Sequence, residues 1–167
     1  MLHKARKLNP DAIVVAAGCY AQTDTEKLKN DQTVNLILGN NQKHQIVEVL
    51  EAYEKEHKKE LRVIEINRTK EYENLSISRT AEHVRASIKV QDGCNQFCTY
   101  CIIPYARGRV RSRKPEEITA EIRTLADRGY QEVVLTGIHL SSYGVDFKEE
   151  KENLLSLIQA VHEIEGI

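Results

Sequence analysis

Three of the chain's four cysteines stand together, as Cys94-Asn-Gln-Phe-Cys98-Thr-Tyr-Cys101. With three and then two intervening residues, one loop can present all three sulfurs to a single metal centre. A disulfide inside the cluster would close a very small ring and leave an odd thiol. Clustered thiols in a chain without an export signal read instead as metal ligands. A closed zinc site needs four ligands, usually two Cys-x-x-Cys pairs. The sequence has no second pair, so a zinc knuckle would have to recruit a distant histidine or Cys19. A cubane 4Fe–4S cluster on three thiolates differs in kind, because one iron is left without a protein ligand and is open to chemistry. Phe97, Tyr100, Ile102 and Ile103 would surround such a cluster with low-dielectric material.

Other residues carry weaker signals. Cys19 lies in Gly18-Cys19-Tyr20-Ala21-Gln22, just after an apolar run; taken alone, it reads as a small buried apolar residue. Arg107, Arg109, Arg111, Arg113 and Lys114 crowd a window, Gly93 to Pro115, that contains no acid. Such a cluster fits phosphate binding and RNA placement, or equally a solvated charged strand. Gly137 ends an apolar run and His139 follows it in a loop.

Elements able to position these residues are legible in the periodicity. Residues 2–9 read as a helix end stopped by Pro10. Ala12 to Ala17 is a continuous apolar run, as expected of a strand buried on both faces, and Val34 to Leu38 is a second. Asp24 or Thr25 starts a short helix. His44 to Glu56 has helical spacing, with Ile46, Val49, Leu50 and Tyr53 on one side. Residues 1–57 are thus β-α-β-α, the α/β class. Leu61 to Ile66 reads as an edge strand within a polar linker, 58–83. Val84 to Val90 alternates and predicts a strand leading into the cysteine loop. Pro115-Glu116-Glu117 starts a helix with Ile118, Ile122, Leu125 and Ala126 inward and Gly129 at its end. Glu132 to Thr136 is the next strand. Asn153 caps a last helix carrying Leu154, Leu157, Ile158 and Val161 on one face.

The whole has 167 residues, 41% hydrophobic and 29% charged, with 24 Lys+Arg against 25 Asp+Glu for a net charge of −1. That is room for one domain or two small ones. The composition excludes collagenous and disulfide-scaffold classes, and no apolar run approaches a membrane span. Near-zero net charge leaves any nucleic-acid affinity to local clustering.

Cys94-x-x-x-Cys98-x-x-Cys101, with Tyr100 before the last cysteine, resembles the signature of radical S-adenosylmethionine (SAM) enzymes. The longer run from Val90 to Arg113 resembles the methylthiotransferases, which add a methylthio group to tRNA adenosines or to a ribosomal protein. Gly18 to Gln22 is similar to the last of three cysteine motifs in that family's N-terminal domain. Glu132 to Gly144 (EVVLTGIHLSSYG) resembles the branch acting at C2 of N6-threonylcarbamoyladenosine next to the anticodon. The resemblance covers the chain from about Leu2 to Ile167.

The resemblance implies an α/β fold: the end of an N-terminal methylthiotransferase domain (1–57), the linker, then the first two β/α units of a partial radical-SAM, TIM-like barrel (84–167). It implies Cys94, Cys98 and Cys101 as ligands of the radical-SAM cluster, whose fourth iron chelates SAM. SAM cleavage would give a 5′-deoxyadenosyl radical that takes hydrogen from the adenine. It also implies Cys19 as a ligand of an auxiliary cluster, the second of two 4Fe–4S clusters in the complete enzyme. Tyr100 would lie near the SAM adenine, Gly137 and His139 near its amino end, and Arg107, Arg109, Arg111 and Arg113 on RNA. Expected partners are tRNA, SAM, an electron donor and the remainder of the same polypeptide, in the cytoplasm and without a membrane. Two earlier cysteine motifs, the remaining β/α units and a C-terminal RNA-binding domain are not in the sequence, so the chain is expected to be an internal fragment, inactive alone, with an apolar stripe exposed on its last helix. Two alternatives stand beside this: a methylthiotransferase of the isopentenyladenosine or ribosomal-protein branch, and a zinc-stabilised RNA-binding module without redox chemistry.

Overall fold

Short parallel strands with helices around them recur in both halves of the chain, as the continuous apolar runs require. A computed structural model describes residues 2–73, 84–148 and 152–167. It divides into two units: residues up to Thr69 together with Tyr105–Arg107, and Lys70–Pro104 together with Gly108–Ile167. Part of the expected linker, 74–83, lies outside the described residues.

In the first unit, β1 (Val15–Ala17), β2 (Leu36–Leu38) and β3 (Glu60–Arg62) form a fully parallel sheet in that order. Helices α1 (Leu2–Leu8), α2 (Cys19–Thr23), α3 (Thr25–Asn30) and α4 (Ile46–Glu56) accompany it. Ala16 and Ile37 pack with Ala21, Leu28 and Val34 on one face. Leu36 and Leu38 pack with Val49, Leu50 and Tyr53 on the other. β2 is buried on both faces and so does not alternate, whereas edge strand β1 buries Ala16 and leaves Val15 half-buried and Ala17 exposed. β3 takes residues 60–62, which the sequence reading put inside the linker, and pairs with β2 as an edge strand.

In the second unit the sheet order is β5-β4-β6. Strand β4 (Arg85–Asp92) pairs in parallel with β6 (Glu132–Gly137) and antiparallel with β5 (Arg111–Ser112). Helix α5 (Ile103–Arg107) follows the cysteine loop, and α6 (Pro115–Asp127) links β5 to β6. Ala86, Ile88 and Val90 of β4 share a core with Ile118, Ile122 and Leu125 of α6 and with Leu157 and Val161 of α7 (Leu154–His162). Asn153 caps α7 reciprocally with Ser156, as its sequence position predicts. Of the expected stripe on α7, Leu157 and Val161 face the core; Ile158 is exposed, as is Leu155. The sequence does not signal α5 and β5, because five and two residues are too short to show a helical or strand period. Among the described residues no helix is long and apolar enough to cross a membrane.

Candidate metal centre

The cysteine loop leaves the C-terminal end of β4 and is pinned at its root by backbone. Gly93 has φ +74°, and a Cβ there would stand 1.9 Å from the Arg109 carbonyl oxygen, so only glycine fits. The Gly93 N–H donates to Asp92 Oδ1 at 2.9 Å. The Cys94 N–H donates to the Gly108 carbonyl at 3.0 Å. Across the loop, the Val110 N–H donates to Asn95 Oδ1 at 3.1 Å. Phe97 adopts a left-handed φ of 48°, and the Cys101 N–H closes a turn onto the Cys98 carbonyl at 2.9 Å. The root is therefore fixed while the sulfurs stay reachable. All three cysteines are free; Cys98 is exposed, and Cys94 and Cys101 are half-buried.

Among the described residues, no three His, Cys, Asp or Glu side chains converge on a single ion position. A cubane takes each thiolate on a different iron. Soft thiolates without a carboxylate among them are the donor set of an iron–sulfur cluster. On donor chemistry the loop fits a cluster.

Gly137 and His139 lie at the end of β6, beside the loop's root. The His139 N–H donates to Gln91 Oε1 at 2.8 Å, and its Nδ1 lies 2.6 Å from Ser142 Oγ. Tyr100 points out of the loop and is 90% exposed, with an open face for a ligand ring.

The arginines do not form one surface, and here the sequence expectation is corrected. Arg111 and Arg113 are 2% and 5% exposed. Arg113 is ion-paired with Glu117 and Glu121 of α6, and Arg111 Nη2 lies 3.8 Å from Asp92 Oδ2. Both belong to the interior of the second unit, because β5 is stitched into the sheet. Ser112 donates through N and Oγ to Asp146 at 2.9 and 2.6 Å, and the Tyr143 hydroxyl donates to the Arg113 carbonyl at 2.8 Å. Arg109 is exposed, with its guanidinium 4.3 Å from the Phe97 ring centroid.

Arg107 belongs to the first unit, where its Nε–H donates to Cys19 Sγ at 3.2 Å. Asn40, 1% exposed, donates through Nδ2 to the Ala106 carbonyl at 2.7 Å and lies 3.5 Å from the same sulfur. Cys19 opens α2 directly after β1, and Asn40 follows β2, so both stand at the C-terminal edge of the parallel sheet, where such sheets carry their ligands. Two N–H donors are thus aimed at the Cys19 sulfur. Asn40, Gln91 and Asp146 were not candidates in the sequence, since a lone amide or carboxylate carries no local signal.

Residues 88–166 match the model of the Radical SAM superfamily. Over these residues the chain is similar to the radical SAM superfamily. Its members use SAM and a 4Fe–4S cluster. The chain is 45% identical over 166 residues to the threonylcarbamoyladenosine tRNA methylthiotransferase MtaB of Aquifex aeolicus, covering 99% of this chain and 40% of that protein. It is 39% identical over 149 residues to MtaB of Bacillus subtilis, covering 89% and 33%. It is also 37% identical over 169 residues to the tRNA-2-methylthio-N(6)-dimethylallyladenosine synthase of Clostridium beijerinckii, covering 99% and 36%. The chain thus spans 40% or less of the length of these relatives.

Proposed function

We propose that this chain carries the cluster loop of a radical SAM methylthiotransferase acting at C2 of N6-threonylcarbamoyladenosine next to the tRNA anticodon. The observation that carries the proposal is the trio of free thiols on a glycine-rooted loop, at the end of a parallel strand, inside the segment that matches the superfamily. In this reading Cys94, Cys98 and Cys101 hold the cluster. Bound there, it supplies an electron to SAM, which an external electron donor replenishes. Tyr100 flanks the SAM adenine, and Gly137 and His139 meet its amino end. Cys19 is a ligand of a second, auxiliary cluster, with Arg107 and Asn40 donating to its sulfur. Of the four arginines, Arg109 is the one left to meet RNA phosphate.

The fold reading goes with it: the end of an N-terminal α/β domain, a linker, and the first two β/α units of a barrel, within a longer polypeptide. The site of action is the cytoplasm, where tRNA is available. The threonylcarbamoyl branch is favoured by the residues 132–144 and by the names of the relatives at 45% and 39% identity, against 37% for the dimethylallyl enzyme.

Anaerobic reconstitution with iron and sulfide tests the cluster. A brown protein that loses its colour on replacement of any clustered cysteine is expected; a colourless protein with one zinc per chain sinks the reading. The branch is tested by comparing modified nucleosides in tRNA from cells with and without the gene. Loss of the 2-methylthio form of threonylcarbamoyladenosine is expected; an unchanged level reassigns the branch.

A further inference from the structure

We propose that Gln91 is a positioning residue that sets the cysteine loop against the Gly137–His139 strand end. The proposal rests on the reading above, in which those two segments hold the cluster and the amino end of SAM. Gln91 is fully buried, at 0% exposure. Its Nε2 donates to the Asp92 carbonyl at 2.9 Å and to the Gly93 carbonyl at 2.7 Å, the residues from which the loop departs. Its Oε1 accepts from the His139 N–H at 2.8 Å. One carboxamide therefore spends both donors on the loop's root and its acceptor on the other segment.

Two local features make room for that bridge. The register of β4 against β6 slips between Lys89 and Gln91, so the alternation of β4 fails and Val90, Gln91 and Asp92 are all buried in succession. Opposite it, Gly137 pairs with Gln91, and a Cβ on Gly137 would stand 2.9 Å from Gln91 Oε1. The absence of a side chain at 137 is thus what admits the amide. A buried amide with three partners has one rotamer that satisfies it, so the two segments are held at a fixed offset.

The test uses the 167-residue chain, reconstituted anaerobically with iron and sulfide, as wild type, Gln91→Glu and Gln91→Leu. The readouts are iron per chain, the SAM concentration that half-shifts the electron paramagnetic resonance signal of the dithionite-reduced sample, and amide hydrogen exchange. All three proteins are expected to take up iron, because no thiol is altered. The SAM midpoint is expected to rise about tenfold or more in Gln91→Leu and less in Gln91→Glu, which keeps an acceptor for the His139 N–H. Exchange at the His139 amide should accelerate in the leucine variant and less in the glutamate variant. Equal SAM midpoints in all three overturn the proposal, as does a loss that only tracks the unfolded fraction measured on the same samples. A wild type that loads iron but gives no SAM-dependent shift overturns the reading of the Gly137–His139 segment, and the proposal with it. A wild type that takes no iron overturns the cluster reading beneath both.

Discussion

The chain's cysteines occur in two settings that differ in how a sulfur is held. Cys19, in the first unit, is gripped through its sulfur: Arg107 donates to it, and buried Asn40 stands beside it while anchored to the Ala106 carbonyl. Cys94, Cys98 and Cys101, in the second unit, are held through their backbone, by a glycine without room for a Cβ, by turns, and by the Gln91 amide. On the proposed reading, the first arrangement would fix one ligand before any metal arrives, and the second would fix the root of a loop while letting three sulfurs adjust to a cluster. Donor hydrogen bonds to sulfur tune potential, whereas a free loop face leaves an iron accessible.

Replacing any one of Cys94, Cys98 or Cys101 with alanine should have the largest effect, complete loss of the iron taken up at the loop. Cys19→Ala should leave that uptake unchanged. Iron and sulfide per chain after reconstitution measure both, and equal losses from all four would erase the contrast. Next in size is Arg113→Met, which leaves Glu121 without its buried cation. It should cost about 3–5 kcal/mol in denaturant unfolding of the second unit. A cost near zero would return Arg113 to the surface patch expected from sequence.

Asn40→Ala removes the donor to a buried carbonyl and should destabilise the first unit by about 1–3 kcal/mol. Arg109→Ala should cost only about 0.5–1 kcal/mol, the range for an exposed cation over an aromatic ring. If Arg109 also meets phosphate, the same variant lowers the salt slope of RNA binding by about one unit.

A further effect concerns alkaline pH. Burial first, and then the nearby carboxylates, push the Tyr72 and Tyr143 phenols above their ordinary range. The native state therefore keeps phenolic protons that the unfolded chain releases above about pH 10, the ordinary tyrosine value. Stability of the second unit is fully present below that pH and falls as pH rises past it. Tyr143→Phe should flatten this fall while costing about 1 kcal/mol at neutral pH for the lost bond to the Arg113 carbonyl. Unfolding midpoints measured across alkaline pH check both parts.

What the sequence determined by itself is what depends on neighbours a few residues away. The apolar runs at 12–17 and 34–38 specify two strands, the second of them buried on both faces. The Asn153 cap, the α6 stripe and the cysteine spacing are equally local, since period, cap and loop length are properties of short windows. Tertiary structure decided whatever depends on a partner far along the chain. Cys19 meets Arg107 across 88 positions, Ser112 meets Asp146 across 34, and Gln91 meets His139 across 48. A run of alternating arginines looks the same whether it faces water or the interior. Asp146 and Tyr143, brought in by folding, hold β5 inward, where Glu117 and Glu121 of the following helix pair with Arg113, while Arg109 keeps an exposed guanidinium on Phe97. A buried charge is tolerated only where the fold delivers its counter-charge, and alternation alone does not say which way a strand's arginines face.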